Sequence, residues 1–439
     1  MLQNKEEHIG LSSPTGPKDS GLFRRGLGAA IILAGGLGTR LREAVPHLPK
    51  CMAPVAGRPF LSFVIDHLRM QGIEHFIFSL GYKAEAVEEY LRTHYSTLKY
   101  ETVIEEEPLG TGGGIHLALQ KANTENVLIA NGDTLFKVDV NTLFDLHQQA
   151  NAECTLGLKP IKDFDRYGAV EIDNDGKIIS FKEKNFYQSG LINGGIYLLN
   201  KKRFFENKFP IKFSFEQDYL EKYYTSKDFY GCKQEGYFID IGIPADFEKA
   251  QDDLRKPDLD LKKITKDWTI FIDRDGVINN ELPGTYVLNW KQFIFSEGVL
   301  QAFKILNEKF DRILVVSNQR GVGKSLMSLK DLHSIHNEMQ KEVIASGGRI
   351  DKIYFCTEID GKCFNRKPNP GMALQAIRDF PQIDLAKSIM IGNKPGDMRF
   401  GRSAGMHTIF LTTTNPSHAF PHPDIDLQFS SLLQFAEAL

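Results

Sequence analysis

Two aspartates stand two residues apart in the second half of the chain, at Asp273 and Asp275. They follow the apolar run WTIFI, which predicts a buried strand, and side chains two apart in extended backbone point the same way. The first carboxylate can attack phosphorus, and the second can protonate the leaving oxygen and later activate water. Because such a pair repels a phosphate dianion, this chemistry requires a cation, and we expect Mg²⁺. A simple acidic turn is the alternative.

Polar groups suited to phosphate recur after later apolar runs of the same half. RILVVSNQ ends in a hydroxyl and amides, NRKPNPG supplies two cations before a predicted helix, and SIMIGNKPGD again ends in polar residues. This recurrence, at the intervals of alternating strands and helices, argues against a simple acidic turn. The candidate residues are Ser317, Asn318, Arg366, Lys367, Asn393 and Asp397.

The first half carries a glycine-rich, basic loop directly after an apolar run, in AAIILAGGLGTRLR. Glycine lets the main chain approach a ligand closely, and successive N–H groups in such a turn form an anion-binding concavity. Basic side chains add charge-assisted contacts of roughly 1.5–3 kcal/mol each. The loop is not of the G-x-G-x-x-G type, which argues against a dinucleotide site. It predicts a cradle for a nucleoside triphosphate, formed by Gly35, Gly36, Gly38, Thr39, Arg40 and, downstream, Lys50.

A second glycine cluster, Gly110–Thr111–Gly112, stands directly before a predicted helix. Small residues there would let a flat nucleotide base approach the backbone, and a helix N-terminus favours anionic groups. The alternative is an ordinary strand-to-helix turn with an excess of glycine. We expect the cluster to bind the nucleotide.

Two further aspartates of the first half end apolar runs. Asp133 ends VLIANGD and Asp240 ends GYFID. An acidic residue at the carboxyl end of a parallel strand lies where such sheets bind ligands. We therefore predict that both hold Mg²⁺ against the triphosphate, with a capping role as the alternative for Asp133.

Three polar residues between these aspartates can recognise a sugar. Glu183 and Lys184 end a predicted hairpin, and Asn193 begins the run NGGIYLLN in the following strand. Their side chains can hydrogen-bond to sugar hydroxyls. The alternative for Glu183 and Lys184 is a solvated surface pair.

The elements that must position these groups alternate along the chain. PFLSFVIDHLRMQG and KAEAVEEYLRTH have helical apolar spacing, whereas HFIFSLG and YETVIEEE are typical of strands. This alternation predicts an α/β fold with a parallel sheet covered by helices on both faces. From Cys154 the pattern becomes antiparallel, with a hairpin turn at Asn174–Gly176, so the first sheet should be mixed.

The composition limits the classes of protein to consider. At 439 residues the chain is long enough for two or three domains. A formal charge of −3 argues against a general nucleic-acid binder, and the apolar runs are too short to span a membrane. The five scattered cysteines favour a reduced, cytoplasmic setting. We predict a flexible leader over 1–25, domains over 26–256 and 267–439, and a charged linker over 257–266.

As an ordered set, GGLGTRLR…PK, LGTGGG, NGD, FKEK with NGGIY, and FIDIGIPADF resemble the sugar-1-phosphate nucleotidyltransferases. LPKCMAPVAGRPFL is most similar to guanylyltransferases of heptose and mannose 1-phosphates and to their uridylyl relatives. The resemblance implies a Rossmann-like domain in which a sugar phosphate attacks the α-phosphorus of a nucleoside triphosphate and releases pyrophosphate. Catalysis would then rest on positioning and charge neutralisation. It assigns the phosphates to Arg40 and Lys50, Mg²⁺ to Asp133 and Asp240, and the sugar to Glu183, Lys184 and Asn193.

The ordered set DRDG, SNQ, RKPNPGM and GNKPGD resembles the haloacid dehalogenase (HAD) superfamily. It is most similar to small histidinol-phosphate and heptose-bisphosphate phosphatases, which lack a large cap domain. The resemblance implies a Rossmannoid, cap-poor phosphatase domain that uses Mg²⁺. It makes Asp273 the nucleophile and Asp275 the acid/base, gives Ser317 and Lys367 the phosphate, and places Asp397, with Asp273 and Asp275, at the metal.

Two departures from that superfamily affect the metal expectations. Asn393 stands where an aspartate is usual, and an amide oxygen can bind Mg²⁺ but adds no charge, so weaker metal affinity is expected. The related phosphatases carry Cys-x-His…Cys-x-Cys before RKP, whereas this chain has Cys356 and Cys363 without the other two ligands. Two thiolates do not complete a four-ligand site, so zinc is not expected.

Together the two resemblances imply consecutive reactions on one sugar. The expected sequence removes the 7-phosphate of a heptose 1,7-bisphosphate and then transfers GMP from GTP to the heptose 1-phosphate, giving GDP-heptose for surface polysaccharide. Alternatives are another sugar or a uridylyl donor, or a phosphatase half that only senses a sugar phosphate, which Asn393 favours. The expected partners are these small molecules, without nucleic acid or membrane, and a homo-oligomer is left open.

Overall fold

A computed structural model describes residues 27–36, 45, 47–282 and 284–439. The predicted leader and three residues of the predicted triphosphate cradle, Gly38, Thr39 and Arg40, lie outside the described residues. Within them, no helix combines the length and the apolar character that crossing a membrane demands.

The first half alternates strands and helices and then continues mainly with strands. Its strands are β1 (Leu27–Ala34), β2 (Pro54–Val55), β3 (Arg58–Pro59), β4 (His75–Leu80), β5 (Lys99–Ile104), β6 (Asn126–Asn131), β7 (Thr134–Phe136), β8 (Cys154–Phe164), β9 (Gly168–Ile172), β10 (Ile178–Lys184), β11 (Tyr187–Asn200), β12 (Phe229–Lys233) and β13 (Phe238–Asp240). Its helices are α1 (Phe60–Met70), α2 (Ala84–His94), α3 (Gly110–Leu119), α4 (Val140–Gln149), α5 (Lys201–Phe205), α6 (Glu221–Tyr223) and α7 (Pro244–Asp253). A 3₁₀ turn covers Lys50–Met52, and a π-helical segment covers Phe215–Leu220.

The main sheet of the first half is mixed, as predicted. Its strand order is β10-β9-β11-β6-β1-β4-β5, with β8 beside β11 and β12 beside β8. β1 pairs in parallel with β4 and β6, and β4 with β5, whereas β11 is antiparallel to β6. Alternate residues of β1 face opposite sides. Ile32 joins the core under α1 and Ile31 joins the core under α3, so helices cover both faces.

The second half is built on a separate sheet. Its strands are β14 (Thr269–Ile272), β15 (Arg312–Asn318), β16 (Lys352–Cys356), β17 (Ser388–Gly392), β18 (His407–Leu411) and β19 (Leu427–Phe429). Its helices are α8 (Val299–Lys309), α9 (Arg320–Gly323), α10 (Leu329–Ala345), α11 (Gly371–Asp379), α12 (Pro395–Ala404) and α13 (Leu432–Glu437). The strand order is β16-β15-β14-β17-β18-β19, and every pairing among them is parallel. This confirms the predicted class, two α/β domains with a mixed and a parallel sheet.

The charged segment between the two halves lies against the second half. Leu259, Leu261 and Ile264 pack against the core formed by β14, α8 and α10. Its charged composition predicts a linker. The three apolar side chains of this segment hold it against the second half. The connection between the two sheets is thus anchored on the second half.

Candidate functional site

The predicted phosphate-attacking aspartate lies where the central strand of the second sheet ends. β14 runs between β15 and β17, so the carboxyl ends of three parallel strands meet there. Asp273 follows β14 directly, and Lys367 Nζ donates to its Oδ1 at 2.7 Å. The same ammonium lies 2.7 Å from Asp397 Oδ1, and all three side chains are buried. The structure therefore brings together three residues that the motifs had singled out separately.

Charge and burial act against each other in this cluster. Burial raises the pKa of Asp273, the carboxylates of Asp397 and Asp275 raise it further, and Lys367 opposes them. Burial alone would lower the pKa of Lys367, but Asp273 and Asp397 raise it above its usual value. Lys367 is therefore a firmly protonated cation, and its charge is available to a phosphoryl group that enters beside Asp273.

Asp275 is surrounded by hydrogen-bond donors that the sequence reasoning did not identify. Arg274 Nη2 donates to its Oδ1 at 2.8 Å, Asn279 Nδ2 donates to the same oxygen at 3.2 Å, and Gln319 Nε2 donates to its Oδ2 at 2.9 Å. Burial alone would raise the pKa of Asp275, but Arg274 and these hydrogen bonds hold it below its usual value. The sequence did offer a signal for two of these donors, because Arg274 lies inside the DRDG motif and Gln319 inside the SNQ motif.

The predicted phosphate binders have different partners. The Ser317 hydroxyl accepts a hydrogen bond from Gln319 Nε2 at 2.7 Å, next to Asp275. The Asn318 side chain binds the backbone of Lys367 twice, accepting from its N–H and donating to its carbonyl, each at 3.0 Å. Arg366 donates to the carbonyl of Glu358 at 3.1 Å. Asn318 thus holds the lysine in place, and direct phosphate contacts by Asn318 and Arg366 stay predictions.

Asn393 follows β17 and presents an unused acceptor. Its Nδ2 donates to Thr414 Oγ1 at 2.7 Å, whereas its buried Oδ1 has no hydrogen-bond partner among the described residues. Asp397 Oδ2 accepts from the backbone N–H groups of Asn393 and Lys394 and so caps α12. Glu281, which sequence reasoning missed, forms an ion pair with Lys394. A buried carbonyl oxygen without a donor, close to carboxylates, suits a cation.

No group of three His, Cys, Asp or Glu side chains able to hold a metal occurs in the described part of the chain. Cys356 and Cys363 do lie close together, with their Sγ atoms 3.8 Å apart. Amide oxygens can also bind a divalent cation. A divalent cation in the second half would therefore need the Asn393 amide oxygen as one of its ligands, beside carboxylate oxygens.

The first half has a second lysine between two aspartates. Lys50, in the 3₁₀ turn, lies 2.7 Å from Asp133 Oδ2 and donates to Asp240 Oδ1 at 3.1 Å. Burial alone would lower the pKa of Lys50, but the two carboxylates raise it. β13 pairs antiparallel with β7, and this pairing sets Asp240 opposite Thr134, next to Asp133. The two aspartates predicted to share a metal are thus neighbours.

The two glycine clusters differ in what surrounds them. A Cβ on Gly35 would lie 3.2 Å from Glu105 Oε1 and 3.3 Å from the Gly81 nitrogen, whereas nothing lies within 4 Å of a Cβ on Gly36. Gly35 therefore permits a close approach of two loops, and Gly36 borders open space.

The second cluster is not placed as predicted. Gly110 and Gly112 lie within the first turn of α3 rather than before it. A Cβ on Gly110 would lie 2.5 Å from the Phe213 carbonyl oxygen, and one on Gly112 only 2.2 Å from the Phe213 ring. The Thr111 hydroxyl donates to Glu216 Oε2 and accepts from the Phe215 N–H. The glycines therefore have a packing reason to be small, and nucleotide binding by these residues stays a prediction.

The predicted sugar-binding residues lie on adjacent parts of the antiparallel region. Glu183 and Lys184 are exposed at the end of β10. The Asn193 side chain in β11 donates to the Tyr197 hydroxyl at 2.9 Å and accepts from the Gly195 N–H at 3.0 Å. Its amide already has two partners, so sugar recognition by these three residues remains a prediction.

Comparison with known proteins agrees with this division into two centres. A family model described as nucleotidyl transferase matches residues 29–257, and one described as HAD-hydrolase-like matches residues 364–424. D-glycero-alpha-D-manno-heptose 1-phosphate guanylyltransferase of Aneurinibacillus thermoaerophilus is 51% identical over 226 residues, which are 52% of this chain and 98% of that protein. D-glycero-alpha-D-manno-heptose-1,7-bisphosphate 7-phosphatase of Mycobacterium bovis is 35% identical over 173 residues, which are 39% of this chain and 91% of that protein.

Among solved structures, HddC from Yersinia pseudotuberculosis is 36% identical, with 52% of this chain and 99% of that chain covered and a TM-score of 0.48. The family-model match spans more than half of the chain, and it includes Lys50, Asp133 and Asp240. The relatives at 51% and 35% identity are covered almost completely, each by a different half. Through its first half this chain belongs to the nucleotidyl transferase family, and through its second half to the HAD-like hydrolases.

Proposed function

We propose that the chain catalyses two consecutive reactions on one sugar. The second half removes the 7-phosphate of D-glycero-D-manno-heptose 1,7-bisphosphate, and the first half then transfers GMP from GTP to the resulting heptose 1-phosphate. The observation that carries this proposal is the near-complete coverage of a heptose 1-phosphate guanylyltransferase by one half and of a heptose bisphosphate 7-phosphatase by the other. The chemistry of the two lysine-bridged clusters is compatible with both reactions.

In the phosphatase half, Asp273 is the proposed nucleophile. Its carboxylate attacks the 7-phosphorus, and the bond from phosphorus to the sugar oxygen breaks. Asp275, whose pKa lies below its usual value, passes to that oxygen a proton taken up from the monoanionic substrate. Asp275 then takes a proton from water, which attacks the aspartyl phosphate and releases inorganic phosphate. Lys367, 2.7 Å from Asp273 Oδ1, compensates the negative charge of the phosphoryl group throughout.

In the transferase half, the sugar phosphate itself is the nucleophile. Its oxygen attacks the α-phosphorus of GTP, the bond to the β-phosphate breaks, and pyrophosphate leaves. Lys50 is protonated and lies within reach of phosphate groups that bind beside Asp133 and Asp240. Arg40 is proposed to bind the phosphates, and Glu183, Lys184 and Asn193 the sugar. Positioning and charge compensation are then the whole of the protein's contribution.

Mg²⁺ is part of the proposal for both halves. In the phosphatase, the carboxylate of Asp273 and the Oδ1 of Asn393, which has no partner within the described ranges, would hold it. In the transferase, Asp133 and Asp240 would hold it. Bound there, it would neutralise phosphate charge. One oxygen of Asp397 pairs with Lys367 and the other accepts backbone hydrogen bonds, so we assign Asp397 the positioning of Lys367.

The free cysteines are compatible with a cytoplasmic setting. The product would supply the synthesis of surface polysaccharide.

The test is a coupled assay with the purified chain. Heptose 1,7-bisphosphate, GTP and Mg²⁺ should yield phosphate, pyrophosphate and GDP-heptose, detected by mass spectrometry. Asp273→Asn should stop phosphate release while leaving GDP-heptose formation from added heptose 1-phosphate intact. Product formation with UTP but not with GTP would contradict the choice of nucleotide, and GDP-mannose formed in preference to GDP-heptose would contradict the choice of sugar.

A second candidate role applies to the phosphatase half alone, and Asn393 is the observation that favours it. With an amide in place of a metal-binding carboxylate, this half would bind a sugar phosphate without hydrolysing it. In that case Asp273→Asn would leave phosphate release at the background level of the parent chain, whereas sugar phosphate would still bind to both.

A further inference from the structure

The two halves meet at Asn369, which lies two residues after Lys367. Its Oδ1 accepts two hydrogen bonds from the first half, from Arg69 Nη2 at 2.5 Å and from Thr97 Oγ1 at 2.9 Å. Its Nδ2 donates to the carbonyls of Gly361 and Cys363 in its own loop, at 3.1 and 2.8 Å. One amide thus joins the transferase half to the loop that carries the phosphatase lysine.

These contacts are removed from water. Arg69 is 4% exposed and Asn369 is 2% exposed. Arg69 stands in the last turn of α1, and the next residue, Met70, packs against the second-half core that contains Phe400. Burying a guanidinium is costly unless hydrogen bonds compensate it. The interface is therefore built around a specific polar contact.

Lys367 depends on its loop for its position. On one side, the Asn318 side chain binds both backbone groups of Lys367. On the other side, the N–H of Asn369 donates to the Arg366 carbonyl at 2.8 Å, and its side chain fixes residues 361 and 363. The ammonium must reach Asp273 and Asp397 simultaneously, each at 2.7 Å. A shift of this loop would break at least one of these contacts.

A second contact supports the other side of the same cluster. Lys256, at the end of the first half, donates to the carbonyl of Gly405 at 3.0 Å. Gly405 caps the C-terminus of α12, the helix whose first turn contains Asp397. The first half thus touches both segments that carry the partners of Asp273.

We propose that Arg69 and Thr97 of the transferase half are positioning residues for the phosphatase centre, acting through Asn369 on Lys367. The proposal rests on the phosphatase activity proposed above. Its consequence is that the phosphatase half works at its full rate only when the transferase half is docked on it. Among the described residues of the transferase centre, Asp133 and Asp240 bond to Lys50 and not to Arg69.

The test uses the full chain and separates the two activities. In Arg69→Met the phosphatase kcat should fall on the order of tenfold, by analogy with the lower end of the losses seen when hydrogen-bond partners of metal ligands are removed. KM should change less, because the lysine charge matters most where negative charge builds up in the transition state. GDP-sugar formation should stay unchanged. Arg69→Lys should restore most of the rate, since an ammonium can also donate to Asn369 Oδ1.

Two further variants control for general damage to the fold. Thr97→Val keeps the side-chain shape and removes only one donor, so about a twofold to fivefold loss of phosphatase kcat is expected, corresponding to one neutral hydrogen bond. Arg92→Met removes an exposed arginine on α2 that pairs with Glu89, and it should change neither activity.

A readout independent of turnover is hydrogen exchange of residues 361–371. Exchange in this loop should be faster in Arg69→Met than in the parent chain and unchanged in Arg92→Met. Unchanged phosphatase kcat and unchanged exchange in both Arg69→Met and Thr97→Val would overturn the positioning role, as would equal losses of both activities. A parent chain that releases no phosphate would overturn the proposed function instead, and the exchange rates would then still decide whether Arg69 holds the loop.

Discussion

Each half of the molecule places a lysine between two aspartates, yet the two clusters differ in their contact with water. The side chain of Lys367 is 2% exposed, and the side chains of its partners Asp273 and Asp397 are 8% and 5% exposed. The side chain of Lys50 is 14% exposed, and those of its partners Asp133 and Asp240 are 34% and 29% exposed. The four Nζ–oxygen distances, 2.7 to 3.1 Å, are otherwise similar.

The difference follows from what each centre must admit. Transfer of a nucleotide brings two large substrates together, so the first cluster has to remain accessible to both of them. Hydrolysis of a phosphate monoester needs only one phosphoryl group and a water, so the second cluster can be enclosed. Charges interact more strongly when water is excluded. The buried cluster should therefore contribute to both stability and chemistry, and the open one mainly to chemistry.

The largest effect is expected from Lys367→Met. Its removal leaves two carboxylates buried without their cation, which should lower the free energy of unfolding by about 3 kcal/mol. It also removes charge from the phosphoryl site, so phosphate release should fall by about 10²–10³-fold. Thermal unfolding and a phosphate assay measure the two effects. Lys362→Met, an exposed lysine in the same loop, is the matched control, and a stability change no larger than that of the control would contradict the role of burial.

Lys50→Met tests the open cluster. Pyrophosphate release should again fall by about 10²–10³-fold, because a phosphate-binding cation is lost. The free energy of unfolding should fall by only about 1 kcal/mol, since partly exposed ion pairs contribute little. Lys121→Met, exposed on the same half, provides the reference. A stability loss equal to that of Lys367→Met would remove the distinction between the two clusters.

The metal requirement should also distinguish the halves. A chelator should stop both reactions, and Mg²⁺ should restore them, but Asn393→Asp should reduce the Mg²⁺ concentration needed for half-maximal phosphatase activity by about tenfold. The added carboxylate supplies the charge that the amide lacks, and ligand charge sets the affinity of oxygen sites. Titration of both activities with Mg²⁺ measures this, with the transferase as internal control. An equal shift in both halves would show that the substitution does not act at the phosphatase metal site.

The smallest expected effect is a loss of stability at acidic pH, and it should be similar in the two halves. Burial lowers the pKa of His147 in the first half to about 4 and, together with Arg274, that of His336 in the second half to about 3. A histidine whose folded pKa lies below its unfolded value stabilises the fold above about pH 6.5, and this contribution is lost as the pH falls towards the folded pKa. Between pH 7 and 5.5, each should account for about 1 kcal/mol.

His147→Gln separates this contribution from general acid effects. Its side chain can still bond to Thr155 and Asn126, which His147 contacts at 2.9 and 3.2 Å. Thermal unfolding at pH 7 and 5.5 should then depend less on pH than in the parent chain. His94→Gln, a substitution of an exposed histidine on α2, serves as the reference variant. An unaltered pH dependence in His147→Gln would contradict the assignment.

Local pattern was sufficient for much of the fold because helices and strands have different periods. Leu61, Val64, Ile65 and Leu68 recur at helical spacing, and all four lie on the buried side of α1. Apolar runs predicted β1, β6, β14, β15 and β17, and the polar residues at their ends marked both centres. The second glycine cluster lies inside α3 and not before it. Its residues are small because Phe213, about a hundred positions away in the chain, approaches them closely.

The sequence by itself therefore determined the chemical groups, the strands that carry them and the two families to which the halves belong. Tertiary structure alone decided the distances between groups far apart in the chain. Pairing of β13 with β7 brought Asp240 to Lys50 across 190 residues, and docking of the halves brought Arg69 to Asn369 across 300. The physical reason is that residue periodicity encodes which element forms, whereas sheet order and domain packing depend on burial summed over the whole chain.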